Sequence, residues 1–233
     1  MNVSDPPSTA FDDLQAKFDK LKRRQKRNER AAWAKGFLSA VCGMLKPGDL
    51  AIDLGANVGE VSARLLASGA DVIAFDPEPW AVEQLQKRFE GQDQFTLHNA
   101  AVGVEDGTIP MFRAANFAEN EHGASVKSTV VQGGRMINYE ADEVVHVQQS
   151  NFINFLKDLE KDGREVAFLK MDIEGAELDL LRAMDQANLF DNIRCCVVET
   201  HENKFKELRA DFRDLRKVFG EKYSPDHVNL DWI

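Results

Sequence analysis

The segment over residues 53–60, which reads D-L-G-A-N-V-G-E, constrains the fold more than any other part of the chain. An apolar run over residues 50–54 precedes it and a helical pattern over residues 58–68 follows it, so a glycine-containing turn joins a strand to a helix. Glycine permits positive φ and close backbone approach, and open α/β sheets bind ligands at such turns. We therefore predict a ligand site directly after the first strand.

The chain beyond this turn alternates β-like and helical runs, which is typical of a mostly parallel, doubly wound α/β sheet covered by helices. Further strands are predicted over residues 72–75, 95–102, 166–171 and 195–199, with a terminal pair near Tyr223 and over 228–232. Further helices are predicted over residues 79–89, 151–160, 176–187 and 204–219. Residues 103–149 break the alternation, and their β-like stretches, 108–113 and 144–148, indicate antiparallel strands or a cover over the site.

The first 40 residues follow a different pattern. Residues 1–10 contain two prolines and small polar residues and are predicted to be a disordered lead-in. Residues 11–40 are predicted to form a basic amphipathic helical extension, with an apolar stripe at Phe11, Leu14, Phe18 and Leu21. This helix can pack on its own domain, pair with a second subunit, or bind an anionic surface or nucleic acid, and the sequence leaves all these alternatives open.

The charge distribution bears on the partner. Residues 17–30 hold eight basic and two acidic residues, a charge of +6, so a net charge of −10 leaves −16 for the rest. An acidic body disfavours nucleic acid and favours a small-molecule substrate. The three cysteines lack the paired spacing of a zinc site. Because no apolar run approaches the roughly 18 residues of a membrane span, and the start lacks the apolar stretch of a signal peptide, we expect a cytoplasmic protein.

The turn and a later acid together predict the cofactor. Asp76 ends the second predicted strand, 23 residues after Asp53, where a carboxylate can accept hydrogen bonds from both ribose hydroxyls. A dinucleotide fingerprint would need glycine at Asn57 and Glu60, and a carboxylate at Glu60 would repel a pyrophosphate. This argues against a nucleotide-dependent oxidoreductase. S-adenosylmethionine, which carries no phosphate, fits better, although a turn that serves backbone geometry alone is the alternative.

Four segments, taken in order, resemble the FkbM family of S-adenosylmethionine-dependent methyltransferases: residues 53–59, 74–79 (A-F-D-P-E-P), 99–103 (N-A-A-V-G) and 168–177 (F-L-K-M-D-I-E-G-A-E). The resemblance spans about residues 48–201 and implies a seven-stranded class I sheet in the order 3-2-1-4-5-7-6. It also implies a methyltransferase domain over residues 41–233, with residues 103–149 as an insertion, and O-methylation of sugars or natural products. Asp76 stands where the family more commonly has glutamate.

The same resemblance implies the cofactor contacts. The methionine end of the cofactor is expected along the turn after the first strand, at Asp53, Gly55, Asn57 and Gly59. The ribose is expected at Asp76, with assistance from Glu78, and the adenine near Asn99 and Ala100.

Methyl transfer to an alcohol also requires a group that accepts the hydroxyl proton. Candidates stand where two neighbouring strands end, at Asp172, Glu174, Glu177, Glu199 and His201. We choose His201 because an imidazole with a pKa of about 6.5 is neutral at physiological pH, and we expect Asp172 to orient substrate or cofactor. Glu174 can instead interact with a helix dipole, and His201 can be a solvated loop residue. The acids with His201 can also bind a divalent ion, but we assign no metal.

The sequence therefore predicts a methyltransferase that acts on a small hydroxyl-bearing molecule, with substrate contacts from residues 113–138. The alternative is a catalytically silent cofactor-binding or assembly module of the same fold, in which the N-terminal helix carries the function. A homo-oligomer through that helix fits either hypothesis.

Overall fold

The computed structural model describes residues 10–114, 116–125, 127–134, 137, 139 and 144–232. These residues fall into two compact units, one up to Ala40 and the other from Val41 to Trp232. The predicted lead-in lies outside the described residues, except for Ala10. The boundaries proposed above for the extension, the main domain and its insertion stay predictions.

One helix, α1 (Ala10–Met44), accounts for the N-terminal extension. The extension is confirmed as helical, and the helix is longer than the predicted 11–40. Its four stripe residues are between 60% and 72% exposed: Phe11, Leu14, Phe18 and Leu21. Of the helices in the described part of the chain, none combines the length and the apolar character needed to cross a membrane.

The main sheet contains six strands in the order β3-β2-β1-β7-β8-β9, and every neighbouring pair is parallel. Its strands are β1 (Leu50–Leu54), β2 (Asp71–Phe75), β3 (Phe95–His98), β7 (Val166–Met171), β8 (Cys196–Val198) and β9 (Val228–Asn229). A second sheet, β4-β6-β5, is built from β4 (Ala101–Gly103), β5 (Gly107–Phe112) and β6 (Val144–Asn151). In it β5 and β6 are antiparallel, while β4 and β6 are parallel.

Helices bury both faces of the main sheet. They are α2 (Glu60–Ala67), α3 (Pro79–Arg88), α5 (Phe152–Lys161), α6 (Glu177–Gln186) and α7 (Arg209–Lys222), and a short α4 (Glu121–Ser125) contacts α3. The larger hydrophobic cluster combines strand residues with apolar residues of α5, α6 and α7, and a smaller one joins Ala74 of β2 to Leu85 and Phe89. Every residue of β1 and β7 is buried, which is typical of strands covered on both sides.

The predicted fold class is confirmed: the sheet is α/β, doubly wound and mostly parallel, with an N-terminal helix. The strand count differs, because seven strands were expected and the main sheet has six in the described ranges. The predicted strand 95–102 is in fact two strands in different sheets. A tight turn separates them, in which the Ala100 N–H donates to the His98 carbonyl over 2.9 Å. Tyr223 is not in a strand; it follows the last residue of α7.

Candidate functional site

A cleft opens at the carboxyl ends of β1, β2 and β7, where parallel sheets place their ligands. Residues from four parts of the chain line it. They follow β1 (Gly55, Asn57), end or follow β2 (Phe75, Asp76, Pro77, Glu78), precede and include β4 (Ala100, Ala101, Val102) and follow β7 (Asp172, Ile173, Glu174, Ala176). Residues of the second sheet and its connections close one side: Met111, Ser125, Ser128, Thr129 and Val130.

The turn after β1 is shaped by close backbone approach. Gly55 has φ of +73°, and a Cβ there would lie 1.8 Å from the Asp172 carbonyl oxygen, so no larger residue fits. Asn57 also has positive φ, +50°, and its side-chain Oδ1 accepts a hydrogen bond from Ser125 Oγ over 3.0 Å. Gly59, by contrast, packs under α3 and does not line the cleft. Gly55 and Asn57 thus line the cleft with a backbone that neighbouring groups hold in place.

Asp76 holds that turn through its carboxylate. Its Oδ2 accepts a hydrogen bond from the Asn57 N–H over 2.7 Å, and Oδ1 accepts one from the Glu78 N–H over 2.9 Å. Burial raises the pKa of Asp76 to about 6, against the two backbone hydrogen bonds that lower it. Each oxygen keeps a further lone pair, and the residue lines the cleft. The residues present therefore fit a ribose, whose hydroxyls would supply the missing donors.

The carboxylate oxygens of Glu78, unlike those of Asp76, already have hydrogen-bond and ion-pair partners within the protein. Its carboxylate caps α3 at the Trp80 N–H, pairs with Arg113 at 2.5 Å and accepts from Ser128 Oγ at 3.2 Å. The Arg113 guanidinium also lies 4.2 Å from the centre of the Phe117 ring. Glu78 therefore joins the end of β2 to the segment after β5, and its predicted role in binding cofactor stays a prediction.

Asp53 lies behind the cleft. It is fully buried, accepts a hydrogen bond from Ser62 Oγ over 2.7 Å, and its Oδ1 is 3.3 Å from Lys170 Nζ. Lys170 also approaches Asp172 Oδ2 at 3.5 Å and donates to the carbonyl of Gly55 over 2.8 Å. Burial lowers the pKa of Lys170, but the charges of Asp53 and Asp172 outweigh it and raise the pKa above its ordinary value.

Of the two residues predicted to contact the adenine, Asn99 and Ala100, one lines the cleft. Ala100 lines the cleft, whereas Asn99 is exposed and is not among the lining residues. Glu60 also lies outside the lining and pairs with Arg88 at 2.7 Å. Its charge is thus directed to a neighbouring helix rather than to the cleft.

The predicted catalytic residues do come together, at the ends of β7 and β8. His201 Nε2 lies 3.7 Å from Asp172 Oδ1, 3.5 Å from Glu174 Oε2 and 3.9 Å from Glu199 Oε1. Its Nδ1 lies 2.9 Å from Oε1 of the fully buried Glu177. We call these five residues the His201 cluster. Asp172 and Glu174 also line the cleft, so the cluster borders the cofactor region.

The electrostatics of the cluster change the role expected for the imidazole. Burial lowers the pKa of His201, but the hydrogen bond and charge of Glu177, with the charges of Glu174 and Asp172, raise it to about 9. The imidazole of this arrangement is therefore protonated at neutral pH. Our reason for choosing His201 as proton acceptor, a neutral ring, does not hold here. Burial and the Asp172 charge raise the pKa of Glu199 to about 7.

Glu174 is not the helix cap considered above. It has φ of +55°, and its Oε2 pairs with Lys204 Nζ at 2.7 Å. Burial raises its pKa, although His201 and Lys204 oppose the shift. Glu177 instead holds the turn that precedes α6, because its Oε1 accepts from the N–H groups of Ile173 and Gly175, each over 3.1 Å.

Sequence reasoning missed Lys204 as a member of the site. The residue lies in a predicted helix, and nothing in the pattern indicates that its Nζ reaches the Lys127 carbonyl and the Glu174 carboxylate. The predicted substrate segment, 113–138, is described only in part. Residues 115, 126, 135–136 and 138 lie outside the described residues, as does the side chain of His122.

Comparison with known proteins decides the family. Residues 53–224 match a family model described as the methyltransferase FkbM domain. The match covers more than half of the chain. The chain belongs to the FkbM methyltransferase family. The resemblance stated from the four segments is thereby confirmed, and S-adenosylmethionine is the methyl donor that this family implies.

Two curated relatives agree with the FkbM assignment. Methyltransferase sdnD of Sordaria araneosa is 27% identical over 178 residues, covering 65% of this chain and 66% of the relative. Methyltransferase 1 of Beauveria bassiana (strain ARSEF 2860) is 27% identical over 186 residues, covering 73% of this chain and 70% of the relative. The chain thus spans just under two thirds of the first relative's length.

A solved structure also aligns with this FkbM chain. The TehB-like SAM-dependent methyltransferase from Corynebacterium glutamicum ATCC 13032 has a TM-score of 0.23 at 20% identity, covering 36% of this chain and 45% of that chain. A likeness of that size assigns neither fold nor function.

Proposed function

We propose that this protein transfers a methyl group from S-adenosylmethionine to a hydroxyl of a small molecule such as a sugar or natural product. One observation supports the proposal most: Asp76, with acceptor capacity for a ribose, lines the same cleft as Asp172 and Glu174. A nucleoside site and a pair of acids therefore border one another. Family membership supports the reaction type.

The donor half of the cleft is assigned to residues that the structure brings together. Gly55 and Asn57 would approach the methionine end, Asp76 would accept from the ribose hydroxyls, and Ala100 would face the base. S-adenosylmethionine supplies an electrophilic methyl on a positively charged sulfur. Asp53 acts indirectly, because it fixes Lys170, which in turn holds the Gly55 carbonyl. Gly59 likewise acts through the packing of α2 against α3.

The acceptor half is assigned to Asp172, Glu174 and His201. A carboxylate with a raised pKa is a stronger base, so we assign the hydroxyl proton to Glu174 rather than to the imidazole. His201 lies 3.5 Å from Glu174 Oε2 and 3.7 Å from Asp172 Oδ1, where it orients both carboxylates. In the overall reaction the acceptor O–H bond breaks, an O–CH3 bond forms, and the electron pair of the S–CH3 bond stays on sulfur.

Two measurements on the full chain test the proposal. Calorimetry with S-adenosylhomocysteine should show one site, and Asp76→Ala should weaken it by about 1–3 kcal/mol, the cost of unmatched hydroxyls. A panel of hydroxyl-, amine- and thiol-bearing acceptors, followed by release of S-adenosylhomocysteine from S-adenosylmethionine, should give turnover with hydroxyls. Absence of cofactor binding contradicts the proposal. Turnover confined to amines or thiols contradicts its O-directed part.

A second candidate function, a cofactor-binding assembly module without turnover, is favoured by one feature of α1. Phe11, Leu14, Phe18 and Leu21 are exposed and follow the three-four spacing of helices that pair. We propose a second copy of this chain as the partner. Deleting residues 1–32 should then dissociate the oligomer and leave the cofactor affinity unchanged. Cofactor binding without turnover on any acceptor would favour this candidate over the enzyme.

A further inference from the structure

The orientation of His201 resembles that of a histidine prepared to bind a metal ion. Its Nδ1 is 2.9 Å from Oε1 of Glu177, a carboxylate with no exposed surface that α6 and two backbone N–H groups hold in place. Histidines that bind metals usually donate their second ring N–H to such a carboxylate, which fixes the ring and leaves Nε2 as the ligand. Nε2 then points to the remaining acids of the cluster.

Three of the atoms around that point have the chemistry and spacing of ligands. One carboxylate oxygen of Asp172, one of Glu199 and a ring nitrogen of His201 all lie within 4.8 Å of one another. Ligands in octahedral positions around an ion at about 2.1 Å are about 3.0–4.2 Å apart. The distances from Nε2 to Asp172 and Glu199, 3.7 and 3.9 Å, fall in that range.

The carboxylates of the His201 cluster can accept a further cationic partner. Lys204 pairs with Glu174 at 2.7 Å, and Lys170 lies 3.5 Å from Asp172. Within the described residues, the only charged partner of Glu199 at ion-pair distance is His201, and its carboxylate is only 28% exposed. A partly buried carboxylate whose charged partner is a histidine at 3.9 Å can take a divalent ion as a further cationic partner.

From these three observations we propose that Asp172, Glu199 and His201 bind a divalent cation of the Mg²⁺ or Mn²⁺ class. Two carboxylates and one imidazole form a mixed, mainly oxygen ligand set, which suits ions of this class. As a ligand, Nε2 would be unprotonated.

This inference rests on the proposed function and makes it more specific. Asp172 also lines the cleft, so an ion held there borders the acceptor half. A bound ion would make an acceptor hydroxyl that contacts it more acidic and would hold that hydroxyl in one orientation. Glu174, which lines the cleft but is not among the three ligands, would accept the hydroxyl proton. The methyl acceptors expected for this site are therefore molecules with a hydroxyl that can contact the ion.

The test is manganese binding by the full chain, freed of metal with a chelator and followed by the electron paramagnetic resonance signal of free Mn²⁺. The wild type should remove about one equivalent of Mn²⁺ from solution, and Glu199→Gln and His201→Asn should each weaken binding at least tenfold. Matched controls on the exposed surface are Glu160→Gln and His146→Asn, which should bind as the wild type does. Thermal unfolding shows whether each variant is folded.

A second measurement needs no variant at the site. Mn²⁺ should broaden the ring resonances of His201 and leave those of the exposed His146 sharp. The proposal is overturned if the wild type binds no Mn²⁺ at millimolar concentration, if both site variants bind as tightly as wild type, or if His201 is not broadened. Binding of S-adenosylhomocysteine, measured in chelator, separates the two proposals. Cofactor binding without manganese binding removes only the cation site, and manganese binding without cofactor binding removes only the methyltransferase.

Discussion

Cofactor affinity should depend on pH through Asp76, and this dependence tests the ribose assignment most directly. The carboxylate is buried at the end of β2, and burial raises its pKa to about 6, above the ordinary value of about 3.9 for aspartate. Ribose hydroxyls donate hydrogen bonds to the ionised form. A carboxylate whose pKa is raised in this way takes up a proton as the pH falls through 6. Asp76 then loses the negative charge that accepts hydrogen bonds from the ribose hydroxyls.

The size of the effect follows from the titration. At pH 7.5 nearly all Asp76 side chains are ionised, and at pH 5 about one in eleven is, given a pKa of about 6. Affinity for S-adenosylhomocysteine should therefore fall about tenfold between these values, or about 1.4 kcal/mol. Below pH 5 each further unit should cost up to another factor of ten, as long as the protein stays folded.

Calorimetric titration with S-adenosylhomocysteine between pH 5 and 8, with circular dichroism at each pH to check folding, measures this dependence. Asp76→Asn is the matched control, because it keeps the size of the side chain and cannot titrate. Its affinity should be lower than that of the wild type at pH 7.5 and nearly constant with pH. An equal affinity of the wild type at pH 5 and pH 7.5 would refute the reasoning, and so would a variant that keeps the wild-type dependence.

Three further outcomes are expected. Glu177→Gln, which keeps an acceptor but removes the charge beside Nδ1, should lower the pKa of His201 from about 9, as measured by nuclear magnetic resonance titration of the ring. Ser62→Ala removes the hydrogen bond to the buried Asp53 carboxylate, so urea denaturation should show a loss of about 1–3 kcal/mol in the free energy of unfolding. Leu21→Ser, on the exposed stripe of α1, should convert the oligomer into monomers in light scattering without changing cofactor affinity.

A specific result would contradict each of these three predictions. An unchanged His201 titration would mean that Glu177 does not set the charge of the ring. Ser39→Ala, which removes an exposed hydroxyl bonded within α1, should cost much less stability than Ser62→Ala. Equal losses would show that the buried bond is not special. A wild-type protein that is already monomeric would remove the proposed pairing of α1.

Much of the central sheet could be predicted from the sequence, because its strands are apolar, short and bounded by turn residues. β1 and β7 begin and end where the pattern placed them, at residues 50–54 and 166–171. Their burial on both faces produces the continuous apolar runs that are easiest to recognise. The break at residues 98–101 was missed, since it depends on one backbone turn rather than on a glycine or proline.

The site was predictable in its parts but not in its charges. Parallel strand ends at the same edge place Asp172 near His201, and that proximity could be expected from strand order. The pairing of Lys204 with Glu174 depends on the path of a connection with no repeating pattern. The state of His201 depends on Glu177, a residue of the motif whose complete burial and contact with Nδ1 the sequence did not indicate. Such long-range electrostatics cannot be read from spacing.

Lys170 contacts residues that support both the donor half and the acceptor half of the cleft. One ammonium group contacts Asp53 and Asp172 and holds the carbonyl of Gly55, so the cofactor turn and the end of β7 share a single buried anchor. A change there would disturb donor and acceptor together. Sequence changes that adapt the family to new acceptors should therefore occur away from Lys170. We expect them in the connections around β5 and α4, whose residues line one side of the cleft and do not contact Lys170.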